Sequence, residues 1–326
     1  MWRRRLSVRW AAAAIAIALV GALGVSASAF ARGGASCGSV TMDENAWAGA
    51  TANVYVLKYV LEKNLGCKVN IEKLPESTPL FQAMVDGKVD VVPEDWNNID
   101  LKVNKKYLSS GSILRLGSNG VIGHIGWYIP TYLMKQHPEF KTWQGLKGKE
   151  SLFKSPESGS QGMFLGGDPS YVQKDAQLIK QLGLNFKFVS VGAEPAQVAR
   201  WTQLYKQKKP VLFYWYTPQY LNSAYQLSEI KLPPRGKNCV DSYSPKLGKN
   251  WSIYRCGYGQ TIIEKLISSK FAKSGSPALN VIKKWHWTAA DQNTVANQIA
   301  GKHVDPEKAA EAWVKANPAK VKAWLG

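Results

Sequence analysis

The chain has 326 residues, 45% of them apolar and 20% charged, with a formal net charge of +19. This composition excludes a disordered or low-complexity chain and leaves enough length for two lobes of ordinary domain size. The lysines (Lys102, Lys105, Lys106, Lys206, Lys208, Lys209, Lys283 and Lys284 among them) are scattered rather than gathered into one aromatic-laced stripe, so the basic charge reads as a solvated surface and nucleic acid is not an expected partner.

In chain order the first element is an export signal. Arg3, Arg4, Arg5 and Arg9 precede an uncharged apolar run, Ala11 to Val25, and Ala29-Phe30-Ala31 resembles a cleavage site. Residues 1–31 are therefore expected to be a signal peptide, which places the remainder in the periplasm or another extracytoplasmic space. The arginine cluster leaves Sec and twin-arginine export both open. Four cysteines in an exported chain favour disulfides, and three pairings are possible. Cys37 and Cys67 each stand at the start of an expected strand, and neighbouring parallel strands begin side by side, which favours Cys37–Cys67. Cys239–Cys256 would then staple an excursion rich in Pro, Gly and Ser. There is no C-x-x-C, and His124, His137, His286 and His303 show no ligand spacing with the cysteines, so neither a metal nor a cofactor is expected.

From Val40 the patterns alternate: a strand over Val40–Met42, a helix from about Gly49 to Asn64 ended by Gly66, and a strand over Val69–Glu72. A short helix from Pro79 to Val85 with Gly87 as its stop and a third strand over Val89–Val92 follow. This rhythm implies a parallel sheet with helices on its faces, and in such sheets ligands bind beyond the carboxyl ends of the strands. A second unit has a helix at Tyr171–Leu182, a strand at Phe186–Val191, a helix at Pro195–Gln207 and a strand at Pro210–Tyr216. Helices are then expected at Thr261–Lys273, Pro277–Lys284 and Asp291–Ile299, and a last one with Asp305 as N-cap and Pro306 in its first turn. The helical tail should pack back on the first lobe. That makes residues 129–228 lobe II, an insertion between the two parts of lobe I (32–128 and 229–326), joined by crossover strands near Gly126–Pro130 and Gln226–Pro234.

Several of the 13 Trp and 14 Tyr stand where expected strands end. Trp47 follows the first strand and Trp96 the third, at equivalent points of successive βα units. Trp127 and Tyr128 precede the crossover at Pro130, and Tyr214, Trp215 and Tyr216 end a strand of the second unit. Aromatic residues at the mouths of two lobes suggest a cleft walled by π-faces. Such walls suit a cation that cannot donate hydrogen bonds, at roughly 0.5–2 kcal/mol per ring face when water is excluded. Within the last strand Tyr214 and Tyr216 share one side and Trp215 takes the other.

These segments resemble the glycine-betaine- and choline-binding proteins of ABC importers. The resemblance is carried by Asp43-x-x-Ala46-Trp47, by Gly87-Lys88-Val89-Asp90-Val91-Val92-Pro93-Glu94-Asp95-Trp96, by Gly126-Trp127-Tyr128-Ile129-Pro130 and by Pro210 through Pro218. The tail Ala312-Trp313-x-x-x-Asn317-Pro318-x-x-Val321-x-x-Trp324 fits as well. It implies an α/β, two-lobed periplasmic-binding-protein-like fold of type II, each lobe a mixed, mainly parallel sheet flanked by helices. It also implies a monomer that passes a small quaternary-ammonium ligand to an ABC permease in the membrane. By resemblance Trp96 and Trp47 match cage tryptophans. Tyr216 stands where the family usually has another Trp. The glycine loop Gly159-Ser160-Gln161-Gly162-Met163 matches the one whose backbone N–H groups hold the carboxylate of a betaine.

Glu94 and Asp95 bear on the ligand. Alternation puts Glu94 on the side of Trp96, where a carboxylate helps a cation and repels a betaine carboxylate; pairing of both acids with surface lysines is the plainer alternative. No catalytic constellation is expected: Ser158-Gly159-Ser160-Gln161-Gly162 is not G-x-S-x-G, no His has a triad context, and no G-K-[ST] follows the Gly-Ser loop. Two rivals remain, a binder of another small solute on the same fold and a secreted glycan-binding protein.

Overall fold

The computed structural model describes residues 37–171, 173–235 and 256–326; the expected signal peptide and Cys239 lie outside them. The strands are β1 (Ser39–Asp43), β2 (Lys68–Glu72), β3 (Val91–Asp95), β4 (Ile113–Pro130), β5 (Gly162–Leu165), β6 (Phe186–Val189), β7 (Leu212–Thr217), β8 (Leu227–Ile230) and β9 (Gln260–Ser268). The helices are α1 (Ala48–Leu65), α2 (Thr78–Asp86), α3 (Lys105–Ser109), α4 (Thr131–Gln136), α5 (Asp175–Gln181), α6 (Glu194–Lys206), α7 (Ser269–Ala272), α8 (Ala278–Lys284), α9 (Ala289–Ala296), α10 (Pro306–Ala316) and α11 (Pro318–Leu325). Among the described residues no helix is long and apolar enough to cross a membrane.

The strands form one mixed sheet in the order β2-β1-β3-β9-β4-β7-β5-β6, with β8 pairing β4. β1, β2 and β3 run parallel to one another, as do β5, β6 and β7. The antiparallel strands β9 and β4 join the two blocks. Side chains alternate across the sheet, and each block has a core on both faces. Val40, Met42 and Val91 pack with α1 and the tail helices, while Val92 and Leu266 pack with Phe81 and Met84 of α2. In the other block Phe164, Leu212 and Tyr214 face one core, and Leu165, Phe213 and Trp215 the other.

The tail returns to the first block as expected: Trp313, Val314, Val321 and Trp324 join the core built on α1. Helix α1 stops at Gly66 in the left-handed conformation (φ +65°). Cys37 and Cys67 are bonded, with Cα atoms 4.8 Å apart, because Ser39 and Lys68 pair at the first position of the parallel register. The pairing of Cys256 with Cys239 falls outside the described residues.

Two expectations are corrected. The third strand lies two residues later than expected, so Glu94 and Asp95 belong to the strand itself; Val89 is buried ahead of it. The helix expected at Thr261–Lys273 is strand β9 followed by the short α7. The β-branched run Thr261-Ile262-Ile263 favours a strand, and pairing with both β3 and β4 satisfies its backbone. The helix begins only at Ser269, capped by Ser268, whose side chain accepts Phe271 N–H (3.1 Å).

The side chain of Asp305 accepts Lys308 N–H (3.1 Å) at the start of α10, with Pro306 next, so the sequence cap is present. Asp305→Ala should lower the unfolding free energy by about 1 kcal/mol in a urea titration, with little change in slope.

Candidate functional site

The carboxyl ends of the parallel strands in both blocks open on a shared hollow of about 460 Å³, counting its mouth. Trp47, just ahead of α1, and Trp96, just after β3, come to it from one block. Tyr214 and Tyr216 of β7 and Tyr171, in the segment after β5, come from the other. Ile125 of β4 forms part of the wall, and Glu76 and Asn98 supply polar groups. The rings meet edge to face: Trp47 with Tyr171 (centroids 5.5 Å apart) and Trp96 with Tyr216 (5.7 Å). Each pair therefore joins the two blocks. The ring of Trp96 lies over Gly123, where a Cβ would run into it.

Behind the tryptophans sits Glu94, 1% exposed. Trp47 Nε1–H and Trp96 Nε1–H both donate to its Oε1, each at 2.8 Å. Asn53 of α1 donates to Oε2, and Gln292 of α9 adds a further hydrogen bond. Burial nevertheless pushes the carboxyl up to about 7, against these donors, which favour the charged form. A cation in the hollow would act with the donors and favour the carboxylate.

A second buried acid ties the far wall to the near one. Glu194, the first residue of α6, accepts the O–H of Tyr216, Gln219 Nε2–H (2.9 Å) and the backbone N–H of Ala48 (2.8 Å) at the start of α1. Burial raises its pKa. Tyr171 O–H donates to Ala46 O (3.0 Å), a further link between the blocks.

Of the residues singled out in the sequence, Trp47, Trp96, Tyr214 and Tyr216 are brought together around the hollow, with Glu94 directly behind. The others stand elsewhere. Trp127 is in the core, donating to Asp175 Oδ1 (2.6 Å) and packing on Phe164. Tyr128 points to the opposite face, its O–H toward Glu229 (3.3 Å). Trp215 also lies on that face, against Trp201, with Nε1–H donated to Asn222 (2.6 Å). Gln161 precedes β5 and bonds Asn185 (3.1 Å), so its glycine loop is at the amino end of the strand, away from the hollow. The glycines after the carboxyl end of β5 are Gly166 and Gly167. Among the described residues neither Glu94 nor Asp95 pairs with a surface lysine: Asp95, 0% exposed, accepts Ile99 N–H (3.4 Å), and the charge of Arg115 favours its ionised form against burial. Tyr171, Glu76, Asn98, Ile125 and Glu194 were not singled out in the sequence. The loops after β2 and β5 carry Glu76 and Tyr171, and their place beyond carboxyl strand ends was the available signal.

A mixed sheet with helices on its faces and an aromatic hollow at the carboxyl ends of two parallel blocks defines a solute-binding protein with the periplasmic-binding-protein-like fold of type II. The fold is similar to that of the glycine betaine/L-proline-binding protein ProX of Borrelia burgdorferi (TM-score 0.69, 21% identity, 88% of this chain and 97% of that one). It is also similar to an ABC-transporter choline-binding protein in complex with choline (TM-score 0.67, 18% identity, 89% and 92%). Residues 38–316 match the substrate-binding domain of the ABC-type glycine betaine transport system, and the chain belongs to that family. This is a transport family and not an enzyme family; its members are extracytoplasmic, bind small ligands and work with an ABC permease. Over 120 residues, 36% of the chain, it is 29% identical to the glycine betaine/carnitine transport binding protein GbuC of Listeria monocytogenes; it spans about a third of that relative's length (33%).

Burial pushes Asp43 and Glu94 up to about 7 and Asp175 to about 6, from ordinary values of 3.8, 4.5 and 3.8. Each holds its proton more tightly folded than unfolded. Their contribution to stability is therefore present at low pH and is lost as pH rises through the folded values. Thermal melts of the ligand-free protein should show the midpoint falling from about pH 5 to about pH 8, and Glu94→Gln should flatten part of that fall.

Proposed function

We propose that the chain captures a small quaternary-ammonium compound, such as choline or glycine betaine, and delivers it to an ABC permease. The observation that carries this reading is the convergence of five aromatic rings on a hollow whose lining, among the described residues, includes an acid, Glu76, and no lysine or arginine. A methylated nitrogen has no N–H to donate, so it gains little from amides or hydroxyls. Ring faces and a nearby carboxylate serve it better. Two or three faces together supply a useful part of the about −8 kcal/mol needed for micromolar binding.

In this reading residues 1–31 direct export and are removed, and the mature chain acts as a monomer. Residues 32–128 with 229–326 form one lobe and 129–228 the other. The ligand favours the state in which the lobes meet, by no more than its differential affinity for that state. The rings that touch across the hollow, Trp47 with Tyr171 and Trp96 with Tyr216, support such a role, since filling the space between them engages both sides. The ring walls face inward around a hollow and do not form an exposed row, which favours a small solute over a glycan chain.

Calorimetry against choline, glycine betaine, proline betaine and carnitine tests the ligand class directly; absence of binding to all four would reject it. Trp96→Ala should weaken binding by at least about tenfold, as expected for loss of a desolvated ring face. Unchanged affinity would remove Trp96 from the site.

A further inference from the structure

Helix α1 has no cap of its own. Trp47 stands at its N-cap position without a side-chain hydrogen bond to the first turn, and that turn contains no acid. The first N–H groups of a helix have no acceptor within it. The acceptor for Ala48 N–H comes instead from the other block: Glu194 Oε2, at 2.8 Å. Glu194 opens α6 and is buried. Two residues of its own block orient it. Tyr216 O–H and Gln219 Nε2–H (2.9 Å) both go to Oε1, which leaves Oε2 for α1. Two positions before Ala48, the carbonyl of Ala46 accepts Tyr171 O–H (3.0 Å), again from the second block. Residues 46–48 are therefore held at both ends from across the hollow, and the residue between the two bonds is Trp47.

Tyr171 and Tyr216 link the hollow to these bonds. Their rings line it and meet Trp47 and Trp96 edge to face, while their hydroxyls are given to Ala46 and Glu194. If the blocks separated, Glu194 would lose Ala48 N–H and the positive end of α1, and Tyr171 would lose Ala46 O. Both bonds thus belong to the state in which the blocks meet. Building on the reading of two lobes that close on a quaternary-ammonium ligand, we propose that Glu194 and the Tyr171 hydroxyl form a clasp on residues 46–48 that holds the closed state and sets how long the ligand stays. Glu194 is a positioning residue: it acts through Tyr216 and the segment carrying Trp47, and does not itself line the hollow.

The test is stopped-flow tryptophan fluorescence of the purified protein with choline and with glycine betaine, joined to exchange of the Ala48 amide followed by NMR. Glu194→Gln has one acceptor oxygen in place of two and sets an amide donor against Ala48 N–H or Gln219. It should release ligand about tenfold faster. Its association rate should stay within about twofold of wild type, because the clasp closes after the ligand has entered. Tyr171→Phe keeps the ring and leaves Glu194 untouched, and should release ligand about fivefold faster. The Ala48 amide should exchange about tenfold faster in Glu194→Gln than in wild type, ligand-free protein included. Wild-type release rates in both variants, a loss of affinity carried by slower association, or equal Ala48 exchange would overturn the proposal. Should Glu194→Gln not fold, Tyr171→Phe carries the test alone. If wild-type protein binds neither ligand, the quaternary-ammonium reading falls, and Ala48 exchange in the ligand-free proteins decides the clasp.

Discussion

One carboxylate oxygen accepts both tryptophan N–H groups of the hollow, and the rest of the site is arranged around that shared acceptor. Indole has a single donor, so fixing it fixes the plane of the ring. Glu94 does this for Trp47 and Trp96 at once. Hydrogen bonds are worth about 0.5–1.5 kcal/mol each to a neutral acceptor and about 1.5–3 kcal/mol to a charged one, and they add to the packing of Trp47 on Tyr171 and Trp96 on Tyr216 in holding the two rings against rotation. Holding Glu94 in turn requires Asn53 from α1 and Gln292 from α9. That gives the helical tail a role in the site: Gln292 comes to Glu94 only because α9 returns to the first block, beside the Asn53 that already donates to its second oxygen.

The opposite wall depends on alternation. Along β7, Tyr214 and Tyr216 face the hollow and its adjoining core, while on the other side Phe213 stacks on Trp201 and Trp215 meets it edge to face. Five consecutive aromatic or apolar residues thus serve two purposes without competing for space. Glu194 converts this wall into a junction. Its oxygens take the Tyr216 hydroxyl and the first free N–H of α1, where the positive helix end favours a negative charge.

Much of this was legible in the sequence because it is periodic or punctuated. The βα repeats of the first block, the glycine stop after α1, the Asp305 cap and the side-by-side start of the first two strands all follow from local rules. Trp47 and Trp96 stood out because they recur at equivalent points of successive βα units. The sequence was less informative where long-range pairing decides. The β-branched Thr261-Ile262-Ile263 leans toward a strand, and pairing with β3 and β4 on either side secures it. Trp127 and Trp215 look like Trp96 in sequence; Trp215 is turned to the core on the other face of the sheet, while Trp127, on the same side as the rings of the hollow, is fully buried with its N–H given to Asp175. Tyr171 and Glu76 sit in loops without periodicity, and their relevance comes from where β5 and β2 happen to end. The Gly-Ser loop around Gln161, matched by resemblance to the family's glycine loop, lies at the amino end of β5, and the short motif that carries the match does not tell one end of a strand from the other.

The position of β9 in the sheet has a consequence for how the molecule assembles. Its partners β3 and β4 end at Asp95 and Pro130, yet β9 itself begins only at Gln260. Until the last part of the chain arrives, β3 has a bare edge and the first block has no strand to connect it to the second. Pairings of such long sequence separation close slowly, and an open edge invites pairing with a wrong strand. The sheet is therefore completed from its middle, by the strand that comes last.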